Sequence, residues 1–175
     1  LAAEAGLNML RRGGNAVDAA IAAAITLTVV EPTSNGIGSD GFAIVWDGKA
    51  LHGLNASGRA PAAWTPEYFA AKYPGLHTMP ERGIDTVTIP GAVSQWVALS
   101  ERFGVLPFAD LFSPAIHYAR AGHLVAPITA ASWARQLGTI DAPDLQRDFT
   151  RNGLPPAPGS KWLFAEQADT LEEIA

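Results

Sequence analysis

The chain offers one pattern that usually signals chemistry: Gly36-Ile37-Gly38-Ser39-Asp40-Gly41, a G-x-G-x-x-G run. In a dinucleotide-binding turn such a run follows a strand and opens a helix, so that the helix N-terminus faces the pyrophosphate. Here the order is inverted: an apolar helical stretch precedes Gly36 and strand-forming residues follow Gly41. Some twenty residues on, where an acidic residue would bind a ribose, the sequence reads Leu54-Asn55-Ala56-Ser57-Gly58-Arg59. The run therefore reads as a sharp helix-to-strand connection whose glycines permit positive φ and close backbone approach. Its N–H groups would also suit an anion at the edge of a substrate pocket. Asp40 has two readings, an exposed turn carboxylate or a pocket acid.

The remaining reactive side chains form no catalytic set. His52, His77, His117 and His123 share no metal-ligand spacing, and each reads as a surface or capping residue. Ser94 and Ser113 lack the G-x-S-x-G elbow of a serine hydrolase. The acidic residues are scattered, with no acid/base couple among them. Absence of cysteine removes disulfides, thiolate metal sites and a Cys nucleophile. No cofactor or metal is expected. Lys and Arg total 12 against 17 Asp and Glu, and no basic run occurs, so nucleic acid is excluded as a partner. The apolar run from Ala16 to Val30 is too short to span a bilayer and contains Asp18.

Periodicity and punctuation give the elements that must carry these residues. A helix is expected over 2–12, stopped by Gly13-Gly14. Asn15 is a good N-cap for a second helix, with Asp18 at its third position beside the positive helix end. That helix is apolar nearly all round, which predicts burial on every side. Phe42–Trp46 reads as a buried strand, Asp47-Gly48 as a two-residue hairpin turn, and about 50–56 as the returning strand. Trp46 is placed to shape a pocket floor; the other tryptophans read as core and rim packing. A short helix follows at 66–71, a loop at 73–83, and a short strand in Thr86–Ile89 stopped by Pro90-Gly91. Helices are expected at 92–103, 107–121 and 127–137, then a Pro/Gly-rich loop with one helical turn over 142–162, then a helix from Glu166. The class is α+β, mostly helical with a β-hairpin. From these residues alone, a non-catalytic helical packing module fits as well as an enzyme fragment.

Longer blocks carry a family resemblance. The stretch LRRGGNAVDAAIAAAITLTVVEPTSNGIGSDGFAIVWDG, then RAPAA, then TVTIPGAVSQWVALSERFGVLPFADLFSPAIHYARAGHLVAP and the closing ADTLEEIA, resemble the large-subunit core of γ-glutamyltranspeptidases. The resemblance covers nearly the whole chain and implies a precursor that cuts itself into a large and a small subunit. It also implies an αββα sandwich of the N-terminal-nucleophile hydrolase type. The nucleophile would be the new N-terminal Thr of the small subunit, its own α-amino group the base. Residues 1–175 would then be a large-subunit segment, incomplete at both ends, with the small subunit as partner and no catalytic residue of its own. No cofactor takes part in such chemistry. The family includes exported and cytoplasmic members, so the compartment stays open.

One departure bears on specificity. Glutathione-cleaving members carry a D-x-R-E-x-A-P motif whose Arg pairs with the glutamyl α-carboxylate. Aligned on Ala60-Pro61, Ser57 stands in the position of that Arg and Gly58 in that of the Glu, with Arg59 two residues later. Two residues are one strand period, so Arg59 would face the same side, about 7 Å further along. The resemblance implies transfer of a γ-glutamyl group from glutathione-like amides to water or an amine acceptor; the departure brings in a runner-up, since this form is more similar to a divergent branch of acylases and amidohydrolases acting on oxamate- or glutaryl-type amides. The substrate-binding candidates are Arg59 and Ser57, with the Gly36–Gly41 turn behind them. The bland alternatives are a structural ion pair for Arg59 and a turn role for Ser57.

Overall fold

The computed structural model of the chain describes residues 1–140 and 142–175. They form two compact units, Leu1–Gly36 with Leu99–Ala175, and Ile37–Ala98. The division falls inside one helix.

In the first unit, α1 (Ala2–Arg11) and α2 (Ala16–Val30) pack tightly because Gly6 leaves room: a Cβ there would lie 2.9 Å from the Ala19 carbonyl oxygen. A capping box begins α2. Asn15 Oδ1 accepts from the Val17 and Asp18 N–H groups, and the Asp18 carboxylate accepts from the Asn15 N–H at 2.8 Å. Asp18 is fully buried and also accepts from the Val105 N–H, while the Asn15 amide donates to the Phe103 carbonyl. The predicted cap thus also clips a distant loop to the helix start.

Helix α2 is not buried on every side. Ile21, Ala22, Ile25 and Val29 face the core, but Ala16 and Ala20 are exposed and Leu27 is half-buried. Its main packing partners within the unit are α1 and the 107–121 region. The single helix expected over 107–121 is broken into a 3₁₀ turn at Phe108–Phe112 and α5 (Ser113–Ala121). Pro114 has no N–H to give the Asp110 carbonyl, and the Ser113 hydroxyl donates to it instead.

Beyond α5, the unit holds α6 (Pro127–Leu137), α7 (Pro143–Phe149) and α8 (Ala165–Ile174). Helix α7 replaces the single helical turn expected. An unanticipated two-residue ladder pairs β3 (His123–Leu124) with β4 (Lys161–Trp162). Trp133, Trp162 and Phe164 are buried around it, the Trp133 and Phe164 rings stacked at 5.8 Å. His123 is turned inward opposite Trp162 and is 4% exposed, which corrects its reading as a surface or capping residue. Neither of its ring nitrogens has a hydrogen-bond partner among the described residues.

The second unit holds the hairpin, α3 (Pro66–Lys72) and the first half of α4 (Ala92–Phe103). Strands β1 (Gly41–Trp46) and β2 (Leu51–Ala56) pair antiparallel with Trp46 opposite Leu51, and β1 is not the buried strand expected: Phe42, Ile44 and Trp46 are exposed among the described residues while Ala43 and Val45 are half-buried. The tight turn is Gly48-Lys49, one residue later than expected: Asp47 N–H donates to Ala50 O, and the Asp47 carboxylate accepts from both Lys49 and Ala50 N–H. Gly48, with φ of 92°, takes the left-handed conformation this requires. No strand forms over Thr86–Ile89. A 3₁₀ turn at Ile84–Thr86 takes its N–H groups, and Pro90 has none to give.

Burial without a partner holds the His123 imidazole below its usual pKa. The unfolded chain therefore binds a proton near pH 6.5 that the folded chain refuses, so stability falls as pH drops through about 6.5. Urea midpoints of the full-length protein and His123→Leu, compared at pH 7.5 and 5.5, are expected to show a smaller acid loss in the variant.

Candidate functional site

The second unit is drawn together at one place, where the end of β2 meets the segment before α4. Gly58 has φ of 80°, and a Cβ on it would fall 2.0 Å from the Ile89 carbonyl oxygen. A Cβ on Gly91 would fall 1.9 Å from the Ala56 carbonyl oxygen. Two backbone segments thus approach more closely than any side chain permits. They are tied by the Ile89 N–H to the Arg59 carbonyl at 3.0 Å, and by the Thr88 hydroxyl to the Ser57 carbonyl at 3.2 Å. The helix start continues the tie: the Gly91 and Ala92 N–H groups both donate to the Ser39 carbonyl of the glycine turn.

A cleft of about 610 Å³ opens along this junction. Ser57, Gly58 and Arg59 form one wall and Ile89, Gly91 and Ser94 the other. Both expected binding residues lie on it, though not by the reason given from strand period. Strand β2 ends at Ala56, and the positive φ of Gly58 turns the chain, so Ser57 and Arg59 meet the cleft from a corner.

Arg59 is the one charged side chain lining the cleft, and among the described residues its guanidinium has no hydrogen-bond or ion-pair partner. The structural ion pair offered as its alternative is not formed there. Around it the lining is neutral and mixed: Leu54, Ala56, Ile89, Pro90 and Ala98 are apolar, Asn55 accepts from the Ser57 N–H at 2.9 Å, and the Ser94 hydroxyl donates to the Gly91 carbonyl at 2.6 Å. Such a surface suits a small anionic group; it carries no nucleophile with a base beside it.

The other candidates are placed elsewhere. The glycine turn does not line the cleft, and Asp40 is exposed, as a turn carboxylate. Trp46 is 62% exposed on the outer face of β1 and forms no floor. Gly41 serves packing, since a Cβ there would strike the Gln95 side chain. The His52 Nε2 lies 2.7 Å from the Asp47 carboxylate, within hydrogen-bonding distance; His77 and His117 are exposed.

The sequence reading missed a cluster just upstream of the second wall. Asp85 is 3% exposed and accepts from the Tyr68 and Tyr73 hydroxyls and from Lys72 at 2.6 Å. Hydrogen bonds from Lys72, foremost, and Tyr73 hold its carboxyl below the usual carboxylate range; in return their hydrogen bonds to Asp85, with its charge as a lesser cause, raise both their pKa values. The pattern Tyr68, Lys72, Tyr73 along α3 was visible, but the acid it waits for is brought by tertiary folding.

Comparison with known proteins fits this layout. The family model described as gamma-glutamyltranspeptidase matches residues 2–175. A glutathione hydrolase-like proenzyme of Bacillus subtilis is 36% identical over all of this chain and 33% of its own length. An oxamate amidohydrolase proenzyme of Klebsiella pneumoniae is 34% identical over all of this chain and 34% of its own. The crystal structure of a cephalosporin acylase from Bacillus halodurans superposes with a TM-score of 0.90 at 46% identity, over 99% of this chain and 33% of that one. The chain thus spans about a third of the length of these relatives.

Gly58→Ala must force the 88–91 segment away and adopt a left-handed backbone. It is expected to destabilise the full-length protein by about 2 kcal/mol or more, read from urea denaturation. Ala at exposed Gly53, whose Cβ meets nothing within 4 Å, is the control expected to stay within about 1 kcal/mol.

Proposed function

This chain belongs to the γ-glutamyltranspeptidase family, and we propose that it is the substrate-holding part of the large subunit of a self-processing amide hydrolase or acyltransferase. The nucleophile in this reading is an N-terminal Thr exposed by processing on the small subunit of the same precursor, outside residues 1–175. The two subunits together build the αββα sandwich, to which β1 and β2 contribute. That the relatives from Bacillus subtilis and Klebsiella pneumoniae are named proenzymes supports the processing step.

The chemistry divides accordingly. The Thr hydroxyl oxygen attacks the amide carbonyl while its own α-amino group takes the hydroxyl proton. That proton passes to the departing amine, leaving an ester on Thr. Water, or an acceptor amine, then attacks the ester and releases the Thr hydroxyl. Residues 1–175 bind rather than react: Arg59 holds the carboxylate of the acyl group, and Ser57 with its neighbours lines the space beside it.

The observation that carries this reading is Arg59 standing as an unpaired cation in an otherwise neutral cleft. A charge-assisted bond to a carboxylate fixes both the position and the identity of the acyl group. The favoured substrate is a small amide of glutaryl or oxamate type. Ser57 in the usual arginine position supports it, as do the acylase and oxamate relatives. A γ-glutamyl amide is the second reading, favoured by the glutathione hydrolase-like relative.

The full-length protein is to be offered glutaryl-, oxamyl- and γ-glutamyl-p-nitroanilide. Arg59→Ala is expected to raise KM for the preferred compound about a hundredfold, the loss of a few kcal/mol of carboxylate binding, with kcat changed far less. Unchanged KM would remove Arg59 from substrate binding.

A further inference from the structure

The cleft has a residue that touches the arginine corner only from behind. Thr88 is exposed and does not line the cleft, yet its hydroxyl donates to the Ser57 carbonyl. One residue on, the Ile89 N–H donates to the Arg59 carbonyl. Between these two bonds lies Gly58, held at φ of 80° with its missing Cβ facing both Ile89 O and Thr88 Oγ1. The Ser57–Gly58 peptide and the Arg59–Ala60 peptide, on either side of the Gly58-Arg59 pair, are thus each held by one bond from the same segment.

Gly58 makes that fixing necessary. Glycine visits left-handed and right-handed conformations about equally, so the corner on its own would not aim the next residue in one direction. Arg59 lacks any side-chain partner that would aim it instead. Within the corner, the Asn55 side chain accepts from the Ser57 N–H and the Ser57 hydroxyl makes a long 3.4 Å bond to the Gly58 carbonyl; from the facing segment, the Thr88 hydroxyl and the Ile89 N–H add the bonds that help define where the Arg59 Cα–Cβ bond points. The Ile89 bond is a backbone bond present with any side chain. The Thr88 bond is a side-chain choice: Val has the same shape and the same preference for an extended backbone, but no hydroxyl.

We infer that Thr88 is a positioning residue for acyl-group selection: its hydroxyl locks the Ser57–Gly58 peptide and thereby aims Arg59 at the substrate carboxylate. This rests on the assignment of Arg59 as the carboxylate-binding residue. The effect is on selection, because a substrate without the carboxylate has nothing to gain from a well-aimed guanidinium.

The experiment measures kcat/KM of the full-length protein for glutaryl-p-nitroanilide and for pentanoyl-p-nitroanilide, in which a methyl group replaces the carboxylate. Their ratio reports carboxylate selection. Thr88→Val is expected to lower the ratio about fivefold through KM of the glutaryl compound, the worth of one neutral hydrogen bond. Thr88→Ser, which keeps the hydroxyl, is expected to restore it. In an Arg59→Ala background, Thr88→Val is expected to leave the ratio within about twofold, since the two act through one contact. Thr88 is exposed, so neither variant empties the core, and a thermal melt verifies folding. Equal losses on both substrates, a Ser variant as poor as the Val variant, or a full effect without Arg59 would each overturn the inference. If Arg59→Ala alone leaves the ratio unchanged, the carboxylate assignment itself falls. If Arg59→Ala collapses the ratio and Thr88→Val does not, only the role of Thr88 falls.

Discussion

Two segments of backbone lie against one another at Gly58 and Gly91 with no room for a β-carbon on either. Most of what is particular to the 37–98 unit depends on this approach. It ends β2, turns the chain at a left-handed residue, and brings Ser57 and Arg59 onto one wall of a cleft. It also starts α4, whose first N–H groups are spent on the Ser39 carbonyl rather than left open. The glycine turn that first looked like a nucleotide motif is therefore a structural partner of this junction. Its carbonyl receives hydrogen bonds, the opposite of what a phosphate-binding loop offers.

The first unit works by a different device. Its polar anchor is Asn15 with Asp18, which caps α2 and holds the loop after Phe103 through two long-range hydrogen bonds. A fully buried carboxylate is tolerated there because backbone N–H groups at the positive end of a helix surround it. On the surface, Arg120 bridges Asp169 and Glu172 and ties α5 to α8, an exposed network of modest worth. The folding of this unit is thus carried by packing and a helix start capped from within.

Local signals were legible where they act locally. The Asn15/Asp18 cap, Pro127 at the start of α6, and the β-branched and aromatic run Phe42–Trp46 all announced their elements within a residue or two. What failed was long-range. Thr86–Ile89 has strand composition, yet a 3₁₀ turn and Pro90 leave it, among the described residues, one backbone–backbone bond to the facing segment, at Ile89. The β3–β4 ladder is two residues long, too short for any period to show. Asp85 looked like one more scattered acid until α3 brought two tyrosines and a lysine to it. At the site, Arg59 was identified through a motif departure and Ser57 through alignment to it. The opposite wall was invisible, since Ile89, Gly91 and Ser94 come to face the Ser57–Arg59 corner only through the close approach.

The central claim is that this chain supplies shape and a single positive charge to a reaction whose nucleophile lies outside residues 1–175. A crystal structure of the processed full-length protein, trapped as its glutaryl ester or soaked with glutarate, tests it directly. The account predicts carboxylate density within hydrogen-bonding distance of the Arg59 guanidinium, with the acyl carbon on a threonine of the other subunit. Acyl density on any residue between 1 and 175, or a carboxylate bound elsewhere with Arg59 facing solvent, would contradict it.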